Sequence, residues 1–290
     1  AVSVRGLKKS YGDLEAVRGI DLEVAPGEIF GFLGPNGAGK STTIKILCTL
    51  ARPSAGEAKV AGLDVATERD EVRRHIGLVF QDTTLDDYLT AEQNLKFHAE
   101  LYGIPSAVVR PRLQQVMEMV GLWDRRASLV QTFSGGMKRR LEIARGLMHS
   151  PRVLFLDEPT VGLDPQTRVS IWNYIRELRH KETITIFLTT HYMDEAEYCD
   201  RIAIIDNGSI VALDTPDELK RQVGADTVEL TTADDAAASA RLITAGFDVC
   251  AGGKTLVVFT ENGEADVARL IEIVKVAGRN GYVHRPTLDD

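Results

Sequence analysis

The chain has 290 residues, 44% of them apolar and 26% charged, and a formal net charge of −8 at pH 7. This composition is typical of a globular protein with a sizeable core, and the negative charge argues against a broad nucleic-acid-binding surface. No apolar run approaches the length of a membrane span and the N-terminus shows no signal-peptide pattern, so we expect a protein that is soluble by itself, although a partner could still bring it to a membrane. The three cysteines, Cys48, Cys199 and Cys250, are widely spaced, which indicates reduced cytosolic thiols.

The chain begins with predicted strands that lead to a glycine-rich turn. Residues 2–4, 19–24 and 29–33 have the apolar patterns of strands, and residues 43–47 are typical of the start of a helix. Between the last strand and this helix, residues 34–41 fit the pattern G-x-x-x-x-G-K-[ST]. Because a strand precedes the turn and a helix follows it, the motif predicts a phosphate-binding loop for a nucleoside triphosphate.

Each part of this loop has an expected contact with the nucleotide. Backbone N–H groups and the helix N-terminus would bind phosphate oxygens, and glycines would let the backbone approach them closely. Lys40 would reach the outer phosphates, and the Ser41 hydroxyl would bind Mg²⁺. The predicted nucleotide contacts are Gly34, Pro35, Asn36, Gly37, Ala38, Gly39, Lys40, Ser41 and Thr42. A chance match in a glycine-rich turn is the alternative interpretation.

The middle of the chain changes from strands to helices. Residues 58–61 and 76–80 are predicted to be short strands, and residues 90–150 then show helical patterns. The predicted helical insert covers about residues 82–131. Thr90 begins a capping-box pattern, and Ser106 is expected to cap the next helix. We therefore predict a helical insert within the strand-rich core.

Ser134, Gly135 and Gly136 stand before another predicted helix, whose first turn carries the basic run 138–140. A serine and two glycines at a helix start could bind an anion, or could simply be an N-cap and a turn. A second phosphate site makes sense if two copies of the chain face each other and share composite sites. The basic run is expected to be a solvated helix face.

Apolar strands return at residues 153–156, 183–188 and 202–205. Continuous apolar strands that alternate with helices predict an α/β fold with a parallel sheet covered on both faces. Asp157 and Glu158 follow the first of these strands. Asp157 is suited to hold Mg²⁺ through a water, and Glu158 to polarise an attacking water. A solvated acidic pair at a strand end is the alternative.

The composition changes near residue 223, where we place a boundary between domains 1–223 and 224–290. The second domain shows the βαββαβ order of a small ferredoxin-like module. Its predicted strands cover residues 227–230, 247–250, 255–260 and 282–283, and its predicted helices cover residues 233–245 and 264–277. Eleven acidic residues against six basic ones argue against RNA binding.

Six motifs in a fixed order identify a family. They are residues 34–42, Gln81 after a strand, and residues 133–137, 156–158, 162–165 and 188–191. Together they resemble the nucleotide-binding subunit of ATP-binding cassette (ABC) transporters, over about residues 2–222. The stretches at 32–36, 89–95 and 189–197 are most similar to the drug-exporter branch typified by daunorubicin-resistance ATPases. The resemblance implies a P-loop NTPase core of the ABC ATPase type, with an antiparallel β subdomain, a helical insert and a small α+β C-terminal domain.

The resemblance also implies roles for residues around the chain's own nucleotide. Tyr11 would stack on adenine, and Gln81 would contact Mg²⁺ and the attacking water. His191 would hydrogen-bond the γ-phosphate and hold Glu158 and the water in place. The implied catalytic residues are Glu158, His191, Gln81 and Lys40, and the implied Mg²⁺ ligands are Ser41, Gln81 and Asp157.

Other matched residues would act on the nucleotide of a second copy. Residues 134–136 would bind its γ-phosphate, and Asp164 would lie at the seam between the copies. The family signature usually reads Leu-Ser-Gly-Gly-Gln, whereas this chain has Phe133 and Met137 at the two ends. Met137 cannot make the polar contact that glutamine would make, so that contact is not expected here.

The resemblance implies an ATPase that uses ATP and Mg²⁺ to power a membrane exporter of drugs, other hydrophobic or amphipathic molecules, or lipids. Its implied partners are a second copy or a related cassette, in a head-to-tail ATP sandwich, and a separate integral-membrane permease. No nucleic-acid partner is expected, and the implied location is the cytoplasmic face of the cell membrane. An importer ATPase, which would share this chemistry, and a soluble ABC protein that acts on ribosomes or DNA are the alternatives.

Overall fold

The structure, a computed structural model, describes residues 1–223, 226–230, 232, 235–251, 256–260, 263–274 and 281–284. The strands are β1 (Val2–Tyr11), β2 (Leu14–Val24), β3 (Ile29–Leu33), β4 (Ala55–Val60), β5 (Leu63–Asp64), β6 (Ile76–Val79), β7 (Val153–Asp157), β8 (Thr185–Thr190), β9 (Arg201–Asp206), β10 (Ser209–Asp214), β11 (Asp226–Leu230), β12 (Asp248–Ala251), β13 (Leu256–Thr260) and β14 (Gly281–His284). The helices are α1 (Lys40–Leu47), α2 (Arg69–His75), α3 (Ala91–Leu101), α4 (Ser106–Met119), α5 (Gly135–Leu147), α6 (Pro165–Glu182), α7 (Met193–Ala196), α8 (Pro216–Val223), α9 (Asp235–Thr244) and α10 (Gly263–Val274). Two short 3₁₀ helices cover Trp123–Arg125 and Val130–Thr132.

A six-stranded sheet carries the candidate site. Its strands follow the order β10-β9-β3-β8-β7-β6, and every pair is parallel except the antiparallel pair β10–β9. Strands β3, β7 and β8 are buried along their whole length, as expected for parallel strands that helices cover on both faces. The predicted α/β fold with a parallel sheet is therefore confirmed.

A second, antiparallel sheet has the order β2-β1-β4-β5. Strand β1 runs on to Tyr11 and β2 begins at Leu14, so both are longer than the predicted strands at 2–4 and 19–24. The two strands pair around a tight turn at Gly12, whose φ is 60°. Backbone pairing extends them through charged residues that carry no apolar pattern. The sheet forms the predicted antiparallel β subdomain.

Helices α3 and α4 lie in the chain between β6 and β7, where the insert is predicted. Thr90 Oγ1 accepts a hydrogen bond from Gln93 N at 3.2 Å, and Gln93 Oε1 accepts one from Thr90 N at 2.8 Å. The predicted capping box is thus confirmed. The expected cap at Ser106 is wrong, because Pro105 occupies the N-cap position and Ser106 is the first helical residue.

Strand β8 begins later than the predicted strand at 183–188. Thr183 ends α6 in the left-handed conformation, with a φ of 52°, and the strand then runs from Thr185 to Thr190. Its last residues pair with β7 and β3, through Thr189 and Thr190. The apolar pattern could not predict where a left-handed cap would separate the helix from the strand.

Contacts group the chain into two compact units, residues 1–215 and 216–290, so α8 is grouped with the second unit rather than with the first. The second unit has an antiparallel sheet of order β12-β13-β11-β14. Its buried core consists of Val228, Leu230, Ala238, Leu242, Leu256, Val258, Leu270 and Val274. The parts of the predicted elements at 233–234, 255 and 275–277 lie outside the described residues. The assignment of residues 224–290 as a ferredoxin-like accessory domain stays a prediction.

Within the described part of the chain, none of the helices has both the length and the apolar character needed to cross a membrane.

Candidate nucleotide-binding site

The predicted motifs converge at the carboxyl edge of the parallel sheet. In the register of the strands, Leu33 at the end of β3 pairs with Thr190, and Thr189 of β8 pairs with Asp157 of β7. Strand β6 lies beside β7 and ends at Val79. Because these strands are parallel, the segments that follow them, with the phosphate loop, His191, Glu158 and Gln81, all leave the sheet at this edge.

The phosphate loop joins β3 to α1, as predicted. At Gly39, φ is 111°, and a Cβ there would lie 2.5 Å from the carbonyl oxygen of Ala16. A Cβ at Gly34 would overlap the carbonyl oxygen of Ile205. Neighbouring backbone therefore demands glycine at both positions, which fixes the path of the loop. Residues 35–37 are exposed at its tip, whereas residues 41–42 are half-buried in the first turn of α1.

A buried lysine, a buried glutamate and a histidine lie side by side at the loop. Lys40 Nζ donates to the carbonyl oxygens of Gly34 at 2.6 Å and Pro35 at 3.1 Å. It also lies 3.3 Å from Glu158 Oε1, and both side chains are buried. Glu158 Oε2 lies 3.3 Å from His191 Nδ1, a close contact whose geometry is not that of a hydrogen bond.

Glu158 has an unusual backbone conformation, which the neighbouring strand supports. Its φ is 46°, in the left-handed region that residues other than glycine rarely adopt. Glu158 N donates to Thr189 Oγ1 at 3.0 Å and to Thr189 O at 3.2 Å. Thr189 Oγ1 in turn donates to Asp157 Oδ1 at 2.6 Å. The sequence assigned no role to Thr189, which holds the carboxylate of Asp157 and the backbone N–H of Glu158.

The protein offers oxygen ligands for a divalent cation beside the loop. Ser41 Oγ donates to Asp157 Oδ1 at 3.4 Å, so a hydroxyl and a carboxylate already face each other. Gln81 is exposed just beyond the end of β6. Oxygen ligands of this kind fit Mg²⁺, which usually takes one or two protein carboxylates together with waters and phosphates. No group of three or more His, Cys, Asp or Glu side chains that could hold a metal occurs among the described residues.

Arg139 is buried beneath the carboxylates, so the prediction of a solvated helix face at residues 138–140 is wrong at this position. Its guanidinium donates to Asp157 O at 3.0 Å, to Pro159 O at 2.7 Å and to Phe80 O, and lies 3.2 Å from Glu142 Oε2. Burial lowers the pKa of Arg139, and Glu142 opposes this effect. In the sequence, Glu142 follows Arg139 by three positions on the apolar face of α5. This spacing is the signal that could have identified Arg139 as a buried residue.

The residues predicted to act on a partner's nucleotide lie at the starts of α5 and α6. Ser134 is exposed and caps α5, accepting a hydrogen bond from Met137 N at 3.3 Å. Asp164 caps α6, accepting from Thr167 Oγ1 at 2.6 Å and Thr167 N at 3.0 Å, and these bonds lower its pKa. A groove of about 220 Å³ lies between the two helix starts; its lining includes Ser134, Gly136, Met137, Arg140, Gln166 and Thr167.

The contacts thus bring together Lys40, Ser41, Asp157, Glu158 and His191. Among the described side chains, no hydrogen bond or ion pair ties Tyr11, Gln81, Ser134 or Asp164 to that cluster. Tyr11 is half-exposed at the end of β1, with Lys9 Nζ 4.8 Å from its ring centroid.

The match to a family model described as "ABC transporter" covers residues 17–161, half of the chain. The daunorubicin resistance ATP-binding protein DrrA3 of Streptomyces coeruleorubidus is 40% identical over 297 aligned positions, which cover 100% of this chain and 94% of that protein. The daunorubicin/doxorubicin resistance ATP-binding protein DrrA of Streptomyces peucetius is 46% identical, over 79% of this chain and 70% of that protein. This chain therefore belongs to the ABC transporter family.

A solved structure with the same fold is a dimeric ATP-binding cassette in a post-hydrolysis state, bound to ADP and Pi. It is 28% identical, with a TM-score of 0.67, and the match covers 74% of this chain and 98% of that chain. The predicted ABC-type ATPase, its fold and its nucleotide are confirmed by these comparisons. The comparisons also support, in general terms, that the chain forms dimers and works with a partner membrane transporter. The head-to-tail geometry, Mg²⁺ and the role of each site residue stay predictions.

Proposed function

We propose that this chain is the motor subunit of an exporter of drugs or other hydrophobic or amphipathic molecules, including lipids. The observation that carries the chemical part is the position of Glu158, held between Lys40 and His191 beside the phosphate loop. The export part is supported by two relatives named for resistance to daunorubicin, one of them similar over the whole chain.

In the proposed reaction, Glu158 accepts a proton from the water that attacks the γ-phosphorus in line. The bond from the γ-phosphorus to the bridging oxygen breaks, and ADP and phosphate leave. Lys40 moves from the carbonyl oxygens it now contacts to the outer phosphates, and His191 holds Glu158 and the γ-phosphate in register. A positioned base of this kind accelerates proton transfer by about 10²–10⁴-fold.

Ser41 and Asp157 would hold Mg²⁺, with Gln81 as a further ligand. The cation would neutralise charge on the β- and γ-phosphates. The short distance between Ser41 Oγ and Asp157 Oδ1 supports this assignment, because the two oxygens need little movement to share one ion.

Two copies would close head to tail, so that residues 134–136 of one copy reach the γ-phosphate on the other. Three features support this arrangement: Ser134 and Gly135 are exposed, they stand at the N-terminus of α5, and they make no hydrogen bond with their own phosphate loop. A helix N-terminus favours a phosphate oxygen through its free N–H groups and its dipole. Asp164 would lie near the seam, with its carboxylate engaged in capping α6.

The membrane partner would bind the helical insert from the cytoplasmic side. Three large apolar side chains in or next to α3 are more than half exposed: Tyr88 by 82%, Phe97 by 58% and Leu101 by 68%. Exposed apolar groups close together in the chain are typical of a surface that another protein covers. The C-terminal domain would stabilise the dimer or regulate it.

Replacing Glu158 tests the motor directly. Glu158→Gln should bind ATP, lose hydrolysis by roughly 100-fold or more, and accumulate as an ATP-bound dimer in size-exclusion chromatography. Glu177→Gln, on the exposed side of α6, is the matched control and should behave as wild type. Hydrolysis by Glu158→Gln at the wild-type rate would remove the assignment of Glu158.

The composite site is tested in the Glu158→Gln background. Ser134→Asp keeps an oxygen that can cap α5, but it brings negative charge to the place proposed for the partner's γ-phosphate. We expect this double variant to bind ATP and stay monomeric, whereas a Ser134→Thr control should still dimerise. If Ser134→Asp dimerised equally well, residues 134–136 would not contact the partner's ATP.

Transport direction is measured with the copurified membrane partner in inside-out vesicles. ATP should drive daunorubicin, or a fluorescent lipid in its place, into the vesicle lumen, and the Glu158→Gln variant should abolish this accumulation. Loss of a preloaded solute from the lumen on ATP addition would instead identify an importer.

A further inference from the structure

His191 is the end of a stack of three side chains that the family motifs do not explain. The His191 and Tyr192 rings have centroids 4.1 Å apart, at an interplanar angle of 38°. The guanidinium carbon of Arg168 lies 4.2 Å from the centroid of the Tyr192 ring. All three residues are half-buried, so the stack is partly shielded from water.

Two members of this stack, Arg168 and Tyr192, are fixed to the framework of the site. Arg168 Nε donates to Leu163 O at 3.4 Å, which ties the guanidinium to the loop before α6. Tyr192 N donates to Thr190 Oγ1 at 3.0 Å, and that hydroxyl donates to the buried Glu195 Oε2 at 2.8 Å. The position of Tyr192 is therefore set by its own backbone as well as by Arg168.

A second contact joins the same two segments in the interior. Glu195 accepts hydrogen bonds from Thr190 Oγ1 and from Thr160 Oγ1, the latter in the loop after β7. Glu195 is buried with both hydroxyls directed at it, so the segments around His191 and before α6 are linked inside and at the surface. The surface link consists of Arg168 and Tyr192.

The stack limits the orientation of the His191 ring. An imidazole on a partly exposed loop can rotate, and only some orientations keep Nδ1 at 3.3 Å from Glu158 Oε2. The Tyr192 ring covers one side of the imidazole, and Arg168 holds the Tyr192 ring through a cation–π contact. Removing either group should leave His191 intact and increase its freedom to turn away from Glu158.

We propose that Tyr192 and Arg168 are positioning residues that hold the His191 ring against Glu158 during ATP hydrolysis. This inference rests on the proposed role of His191. Neither residue touches the reacting atoms; both act through His191. The expected signature is a lower kcat at an almost unchanged KM for MgATP, since ring orientation affects the reaction rather than the binding of the phosphates.

The test compares paired variants of the full chain. Tyr192→Leu and Arg168→Met should lower kcat by roughly threefold to tenfold, the range expected from losing one partly desolvated cation–π contact. Tyr192→Phe keeps the aromatic face and should restore the wild-type kcat. Arg176→Met is the matched control, because Arg176 lies on the same helix and makes the same kind of contact with Tyr198, at 5.3 Å. It should leave kcat unchanged.

A double variant shows whether Tyr192 acts through His191. If it does, Tyr192→Leu should have no further effect on kcat in a His191→Ala background, because coupled residues are not additive. An equal loss in both backgrounds, or a Tyr192→Phe variant as slow as Tyr192→Leu, would overturn the proposal. Failure of the proposed function would give a different result, because the Glu158→Gln variant would then hydrolyse ATP at the wild-type rate whether or not Tyr192 and Arg168 were intact.

Discussion

At the scale of single residues, Gly136 and Thr167 meet where α5 and α6 begin. A Cβ on Gly136 would overlap Thr167 Cγ2, whereas a Cβ on Gly135 would make an ordinary contact, 3.4 Å from Leu163 Cδ2. Thr167 cannot easily turn aside, because its hydroxyl and its backbone N–H both donate to Asp164. The second glycine of the signature is thus required by packing within the chain, whatever the signature binds.

This contact predicts the effects of two alanine substitutions. Gly136→Ala should destabilise the fold by about 1–3 kcal/mol, because the new methyl group overpacks against Thr167. Gly135→Ala, the matched control, should cost much less. Adding Thr167→Ser to Gly136→Ala removes Cγ2 and keeps the hydroxyl, so it should restore most of the lost stability in urea unfolding. No recovery in the double variant would show that the clash lies elsewhere.

At the scale of elements, α3 is joined to the core by a cluster of aromatic rings. His98 of α3 lies 4.5 Å from the Tyr102 ring and 5.7 Å from the His149 ring, and Tyr102 stacks on His149 at 4.0 Å. Burial, with smaller effects from Arg145 and His149, lowers the pKa of His98 to about 3. The His98 ring is therefore neutral in the folded protein over the whole physiological range.

The buried histidine predicts acid sensitivity of this element. Since the pKa of His98 is near 6.5 in the unfolded chain and about 3 in the folded one, the unfolded state binds the proton first as pH falls. The contribution of neutral His98 to the free energy of unfolding should be fully present above about pH 6.5 and should decrease at lower pH. At about pH 5 the loss from this one group should be about 2 kcal/mol. Burial also lowers the pKa of His149, which acts in the same direction.

Urea unfolding at about pH 7.5 and about pH 5 measures this loss. His98→Phe keeps a ring in the cluster but cannot take up a proton, so the difference between the two pH values should shrink by about the amount assigned to His98. An unchanged difference in His98→Phe would place the acid sensitivity in other groups.

At the scale of the whole molecule, the chain contains two compact units, each with a core of its own. In the second unit, Leu242 of α9 is fully buried, whereas its neighbour Ile243 is 58% exposed. Separate cores mean that damage to one unit need not unfold the other.

Substitution of these two neighbours tests this independence. Leu242→Ala should destabilise the second unit by about 2–5 kcal/mol through the cavity it leaves, and Ile243→Ala should have little effect. Hydrogen exchange should show faster opening of elements of the second unit only, with ATP binding unchanged. A parallel loss of protection in β3, β7 and β8 would show that the two units unfold together.

The sequence by itself determined the features that are encoded locally. The phosphate loop, the capping box at Thr90 and the acidic pair at the end of β7 depend on residues that are neighbours in the chain, so their patterns predicted them. Glycine at 34 and 39 belongs to the same motif, although the carbonyl groups that demand it come from distant residues.

Tertiary structure alone decided which of these parts meet. Strand order places β8 between β3 and β7, and this brings His191 to Glu158 and Thr189 to Asp157. In the sequence, Arg139 is one residue of a basic run. Only the packing of the folded chain shows that it is buried against the carbonyl groups beneath the site. The physical reason is that strand pairing and burial depend on contacts between residues far apart in the chain, which local periodicity does not record.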